Sequence, residues 1–113
     1  MNTKNEELIR DEYFIRLLLW WQFNDRVRAN EEMFNNSDEI LIWKDNLTSL
    51  LDILDIDDIQ DRITAAEIYR SMSQFSKSKS LLKNIKDVQY QSVKKLIADA
   101  CDLKNSKVLI IND

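Results

Sequence analysis

Glycine, proline and histidine are all missing from this chain, and cysteine occurs once. Without glycine or proline, β-hairpins lose the residues of their tightest turns, and helices meet few breakers. The two absences point to an all-α protein whose helices are joined by Asn, Asp and Ser. Lack of histidine removes the commonest general base and the commonest metal ligand. A lone Cys101 can form no internal disulfide, which implies a reducing compartment. Long apolar runs are missing too. Tyr13–Phe23 (Y-F-I-R-L-L-L-W-W-Q-F) carries Arg16 inside it and is too short for a membrane span. Residues 1–7 are polar and acidic where a signal peptide needs a basic start. The expectation is a cytoplasmic protein with no membrane association and no cofactor.

What is present suits a single helical domain over residues 1–113, long enough for a modest core. Charge divides it unevenly. Residues 1–68 hold 7 Lys+Arg against 16 Asp+Glu, whereas residues 69–113 hold 9 against 4. The balances of −9 and +5 add to the net −4. Attraction between the two halves, within one chain or between two, accounts for this better than a charged partner surface, because the basic half lacks arginine clusters.

The first helix is expected to start after Thr3 or Asn5 and to run to about Arg28, with Glu6 and Glu7 at the positive end of its dipole. Positions 13, 17, 20, 21, 24 and 27 share one face, and 14, 15, 18, 19 and 23 cover the other. A helix apolar almost all round either sits between others or uses its second face as an interface. After a polar connector, Ser37 or Asp38 caps a second helix of about residues 39–54, with Ile40, Leu41, Trp43, Leu47, Leu50, Leu51 and Leu54 at amphipathic spacing. The pair Asp55 and Asp57 begins like a calcium loop. Ile59, a missing glycine at position 60 and a missing Glu at position 66 argue against one, and helix capping by Asp57 or Asp58 explains the acidic run instead.

Third and fourth helices of about residues 58–73 and 76–85 carry a recognisable spacing: Arg62-x2-Ala65-Ala66-x2-Tyr69, then Ser78-x3-Leu82, then Tyr90. Ala66 and Ser78 fall where two helices must approach closely, and Tyr69 and Leu82 at large packing positions. Over residues 58–90 this resembles a tetratricopeptide repeat, W-x2-L-G-x2-Y, A-x3-F and P. Arg62 replaces the tryptophan, and Ser73 and Tyr90 stand where a turn glycine and a proline are usual. Leu96-x2-Asp99-Ala100-x2-Leu103 keeps the register one repeat on, so a fifth helix of about residues 88–103 would act as a cap. The tail 105–113 holds Val108–Ile111, a β-branched run suited to an edge strand, a packed terminus or a partner-binding segment. More broadly, the order of these segments resembles uncharacterised bacterial proteins with a tetratricopeptide-like end, a resemblance that implies a bacterial helical module and no particular activity. The expected organisation is an acidic helical half (1–54), a tetratricopeptide-like half (58–103) and the tail, in an all-α fold of about five helices with the first helix central.

Catalysis finds little support, with no phosphate-binding glycine loop and no Cys/His cluster, and an enzyme using carboxylates and Arg28 is the third and weakest option. Asp57/Asp58 and Glu31/Glu32 lie at a helix start and in a connector, where solvated capping outweighs acid–base work. Asp99 and Asp102 beside Cys101 would raise its pKa, so a buried structural thiol is expected. The candidate partner-binding residues are Arg16, Trp20, Asn24 and Arg28, since Trp20, Asn24 and Arg28 share a helix face, Arg16 lies one turn earlier, and Trp and Arg dominate binding hot spots. The competing reading puts the tryptophans in the core. The function expected is a non-catalytic protein–protein interaction module that binds a protein or peptide and also itself, as a homodimer. The alternative is a nucleic-acid-associated accessory protein using Lys77, Lys79, Lys83, Lys86, Lys94 and Lys95. A pI of about 4.9 and the lack of interleaved exposed aromatics weigh against it.

Overall fold

A computed structural model describes residues 3–109, with side chains from Glu6 onward. Among these residues the fold is all-α, with five helices and no strand: α1 Thr3–Arg28, α2 Ser37–Ile53, α3 Ile59–Ser71, α4 Phe75–Leu82 and α5 Gln91–Asp102. The chain divides into two compact units, one holding α1 and α2 together with Val108 and Leu109, the other spanning Leu54–Lys107.

In the first unit, α1 and α2 run antiparallel, since Arg16 bonds Asn46 and, nearly three turns further along α1, Arg26 bonds Glu39. Thr3 and Asn5, after which the sequence predicts the helix to start, both lie within α1. Its C-terminus carries Arg26 and Arg28, where cations oppose the negative dipole end. The stop itself is Asn30, held at φ 62°. Asn30 N–H donates to the Val27 carbonyl at 3.0 Å and Glu31 N–H to that of Arg26 at 2.7 Å, the two bonds of a Schellman cap. At the start of α2, neither Ser37 nor Asp38 is the cap expected from sequence. Asn36 Oδ1 accepts from Glu39 N–H at 3.0 Å, while Glu39 Oε1 accepts from Asn35 N–H at 2.9 Å. An amide oxygen one residue earlier reaches the third helical N–H equally well, and Glu39 returns the bond to the connector.

In the second unit, Asp58 caps α3 as expected, its carboxylate accepting from Asp61 N–H at 3.0 Å. Asp61 in turn accepts from Asp55 N–H, and Asp55 from Asp57 N–H. The acidic run thus satisfies its own backbone donors. α3 and α4 join through a tight turn in which Ser73, at φ 62°, donates to the Arg70 carbonyl and Gln74 to that of Tyr69. α4 stops at Leu82, three residues short of the expected end. Ile85 is buried and its carbonyl accepts from Gln91 Nε2 and Lys94 Nζ, so side chains of α5 satisfy a group that a longer helix would have bonded internally. α5 is preceded by a single 3₁₀ turn at Val88–Tyr90 and ends in a third Schellman cap, with Lys104 at φ 53°. The core of this unit is Ala66, Leu82, Ile85, Ile97 and Cys101, with Ile63, Phe75, Tyr90 and Val93 partly buried around it.

Arg70 is fully buried in the same unit. Its guanidinium pairs with Glu67 and donates to the carbonyls of Asn105 at 2.6 Å and Lys107 at 2.8 Å. A planar fork with five donors suits this divided task. It pins the segment after α5 onto α3. Val108 and Leu109 are half-buried and belong to no strand, and the rest of the run expected at Val108–Ile111 lies outside the described residues.

Candidate functional site

The four residues singled out from sequence sit in three different environments. Arg16 lies between α1 and α2: Nη1 donates to Asn46 Oδ1 at 3.2 Å, Nε to Glu12 Oε1 at 2.9 Å, and Asn46 Nδ2 returns a bond to the Arg16 carbonyl at 2.9 Å. Because Asn46 is buried, this exchange pins the two helices. Trp20 is only 5 % exposed and belongs to the core with Leu17 and Phe23. It is therefore corrected from an exposed anchor to a core residue. Successive side chains on a helix stand about 100° apart, so of two adjacent tryptophans one turns inward, and here that one is Trp20. Its indole N–H has no hydrogen-bond partner among the described residues. Asn24 is half-buried. Arg28 faces outward and pairs with Asp25 at 3.0 Å.

The two faces of α1 also differ from the sequence expectation. Leu17, Trp20 and Phe23 are buried, whereas Phe14 (56 %), Ile15 (67 %), Leu18 (55 %) and Trp21 (47 %) are exposed. Trp21 moves to the second face and Phe23 to the first. Leu8 is exposed as well. The helix is thus covered on one side, and its second apolar side lies open. Phe14, Leu18 and Trp21, at spacings of four and three, make a continuous apolar stripe along one line of the helix. Single exposed leucines need no explanation, but a line of three large exposed apolar side chains ending in an indole is a candidate interaction surface. Of the two adjacent tryptophans, sequence reasoning singled out Trp20, the buried one, and not Trp21, the exposed one. The signal that separates them, α2 lying against one side, is tertiary.

The rim of this unit is fixed electrostatically. Arg26 Nη1 donates to Glu39 Oε1 at 2.6 Å and to the Met33 carbonyl at 3.0 Å, and its guanidinium lies 5.1 Å from the Phe23 ring centre. Phe34 stands between Phe23 and Trp43, each pair of rings 5.5 Å apart. The connector after α1 is therefore held by an aromatic stack and by Glu39, whose carboxyl is kept below its ordinary value by the bond from Arg26 and then by that from Asn35 N–H.

On the second unit, several of the lysines considered for an anionic partner have local work. Lys79 pairs with Asp102 and Lys95 with Asp99, and both ammonium groups are held above their ordinary value by those carboxylates. Lys94 donates to the Ile85 carbonyl and Lys77 lies 5.6 Å from the Tyr69 ring centre. Cys101 is buried. No helix among the described residues is long and apolar enough to cross a membrane, and no group of three His, Cys, Asp or Glu among them is placed to hold a metal ion.

Compared with known protein families, curated protein sequences and solved structures, the chain matches none.

Proposed function

We propose that this chain is a non-catalytic protein–protein interaction module whose docking element is the outer face of α1. The observation that carries the reading is the open stripe of Phe14, Leu18 and Trp21, flanked by Ile15. Leaving such side chains in water costs roughly 25 cal/mol for each Å² of apolar surface, and a helical partner laying its own apolar face along the stripe recovers that free energy. Arg28, at the end of the stripe and exposed, remains a partner-binding residue in this reading. Arg16, Trp20 and Asn24 become the residues that set the angle of α1.

The second unit we read as a tetratricopeptide-like hairpin with α5 as its cap. Support comes from the full burial of Ala66 and Ser78 at the close approach of α3 and α4, from buried Leu82, and from Ser73, whose positive φ is the conformation a turn glycine would take. A non-catalytic role is supported by the carboxylates at Asp55–Asp61, which cap backbone N–H groups. A cytoplasmic setting is supported by one buried thiol with no disulfide to make.

The test is site-directed photo-crosslinking in cells. A photoreactive amino acid at position 18 is expected to capture a protein, whereas one at exposed Asp45 on α2 does not. Equal or absent capture at the two positions would sink the docking-face reading.

A further inference from the structure

We infer that the occupant of this face is a second copy of the chain, bound with the two α1 helices antiparallel about a two-fold axis that crosses the seam near Leu18. The inference rests on the docking-face reading above and names its partner.

Among the exposed residues of α1, Glu7, Asp11, Phe14, Leu18, Trp21, Asp25 and Arg28 form one line at alternating spacings of four and three, with Leu8, Ile15 and Gln22 exposed beside it. That is a heptad seam, the spacing that keeps one line of side chains facing a neighbouring helix. Arg10, also exposed, lies beside it. The middle three seam positions are apolar and the ends are charged, with Glu7 and Asp11 at the N-terminal end and Asp25 and Arg28 at the C-terminal end. The outermost pair of such a seam, Glu7 and Arg28, is complementary in one direction only. With the axis between residues 17 and 18, Phe14 of one copy meets Trp21 of the other and the two Leu18 side chains meet at the axis. In the same register Glu7 meets Arg28 of the second copy, while Asp25 of the second copy falls between Arg10 and Asp11, an attraction and a repulsion that offset each other, so the outermost pair sets the direction. Symmetry makes each pairing twice, because an isologous interface uses the same patch on both copies. A parallel arrangement would set Glu7 against Glu7 and Arg28 against Arg28. The helix dipoles also oppose each other in the antiparallel pair, which favours it.

Arg28 and Asp25 are already paired with each other, 47 % and 69 % exposed. A surface pair at this spacing is weak, so Arg28 exchanges readily for a partner across the seam. The seam is about 32 Å long and one helix diameter, about 10 Å, in width. That footprint belongs to the small end of specific interfaces, below about 1,200 Å² in total. Reversible dimerisation in the micromolar range follows, set by the three apolar positions and given direction by the charges.

The experiment is sedimentation equilibrium on the purified chain up to about 100 μM, with cross-linking by added cysteines. Wild type is expected to dimerise, and Leu18→Glu to be monomeric throughout with unchanged helical circular dichroism. An exposed ion pair supports association by a factor of about 1.5 to 5. Reversing one partner replaces two such pairs with repulsions, so Arg28→Glu should weaken the dimer about tenfold. Combining it with Glu7→Arg should restore the affinity to within about threefold of wild type. Leu18→Cys should form a disulfide-linked dimer on mild oxidation and Glu7→Cys should not, since the two Glu7 positions stand about 32 Å apart along an antiparallel pair. Buried Cys101 does not compete. Efficient cross-linking at position 7 would overturn the antiparallel arrangement. A monomer at every concentration would overturn self-pairing. In that case capture of a different protein at position 18 in cells leaves the docking-face reading standing, and its absence removes both.

Discussion

Three residues stop helices here without glycine. Asn30, Ser73 and Lys104 sit at φ 62°, 62° and 53° and close Schellman caps after α1, α3 and α5. For a residue with a Cβ the left-handed region costs about 1–2 kcal/mol. Asn tolerates it better than most, through local hydrogen bonding of its short side chain. Ser and Lys have less to offer, so the strain is concentrated at Ser73 and Lys104. Glycine at Ser73 removes the clash and gives back part of the gain as unfolded-chain freedom, leaving a net stabilisation of about 0.5–1 kcal/mol. Ser73→Gly is therefore expected to raise the thermal midpoint by about 2–6 °C, measured by circular dichroism melting. A lowered midpoint would show that the left-handed cap is not under strain. The spacing after Tyr69 marked this position in the sequence, at the place where the resemblance to a tetratricopeptide repeat would put a turn glycine. It could not announce Lys104, which nothing in composition or periodicity distinguishes from its neighbours.

At the scale of elements, the connector between α1 and α2 is governed by one carboxylate. Glu39 accepts from Arg26 and from Asn35 N–H while its own N–H is capped by Asn36. Its pKa is lowered in the folded protein from an ordinary value of 4.5, chiefly by the Arg26 bond. A carboxyl with a depressed folded pKa stabilises the fold above its unfolded value and loses that contribution as pH falls through the folded one. Thermal midpoints followed from about pH 6 down to about pH 3 should therefore fall less steeply for Glu39→Gln than for wild type. Parallel curves would remove Glu39 from the account. Existence and type of all five helices were legible in the sequence because the apolar spacing is periodic and breakers are missing. Their ends were less legible. Asn36 in place of Ser37, and Leu82 in place of Ile85 as the last residue of α4, depend on which side chain reaches a free backbone group, and the Lys94 amine that satisfies Ile85 arrives from nine residues away.

At the scale of the molecule, long-range polar ties add to apolar packing. Arg70 reaches residues 35 and 37 positions further along the chain and joins α3 to the segment after α5. Replacing it with Met keeps the volume of the stem but leaves Glu67 and two carbonyls without their donor. Breaking a buried charged network from one side costs about 3–5 kcal/mol. Urea denaturation of Arg70→Met should show a loss of that size, with Arg70→Lys between the two because an ammonium cannot reproduce the fork. A loss below about 1 kcal/mol would mean that the carbonyls rehydrate freely.

Composition and periodicity alone determined that this chain is helical, that its first helix carries more apolar surface than one face can hold, and that a small-residue hairpin follows an acidic half. Those properties are local: they depend on what each residue permits its own backbone to do and on the period of apolar side chains. Which tryptophan is buried, which face of α1 stays open, and where the helices stop were decided by tertiary structure. A helix apolar all round is rotationally ambiguous in sequence, and the packing of α2 along Leu17, Trp20 and Phe23 breaks that symmetry. What it leaves outside is the seam of Glu7, Phe14, Leu18, Trp21 and Arg28.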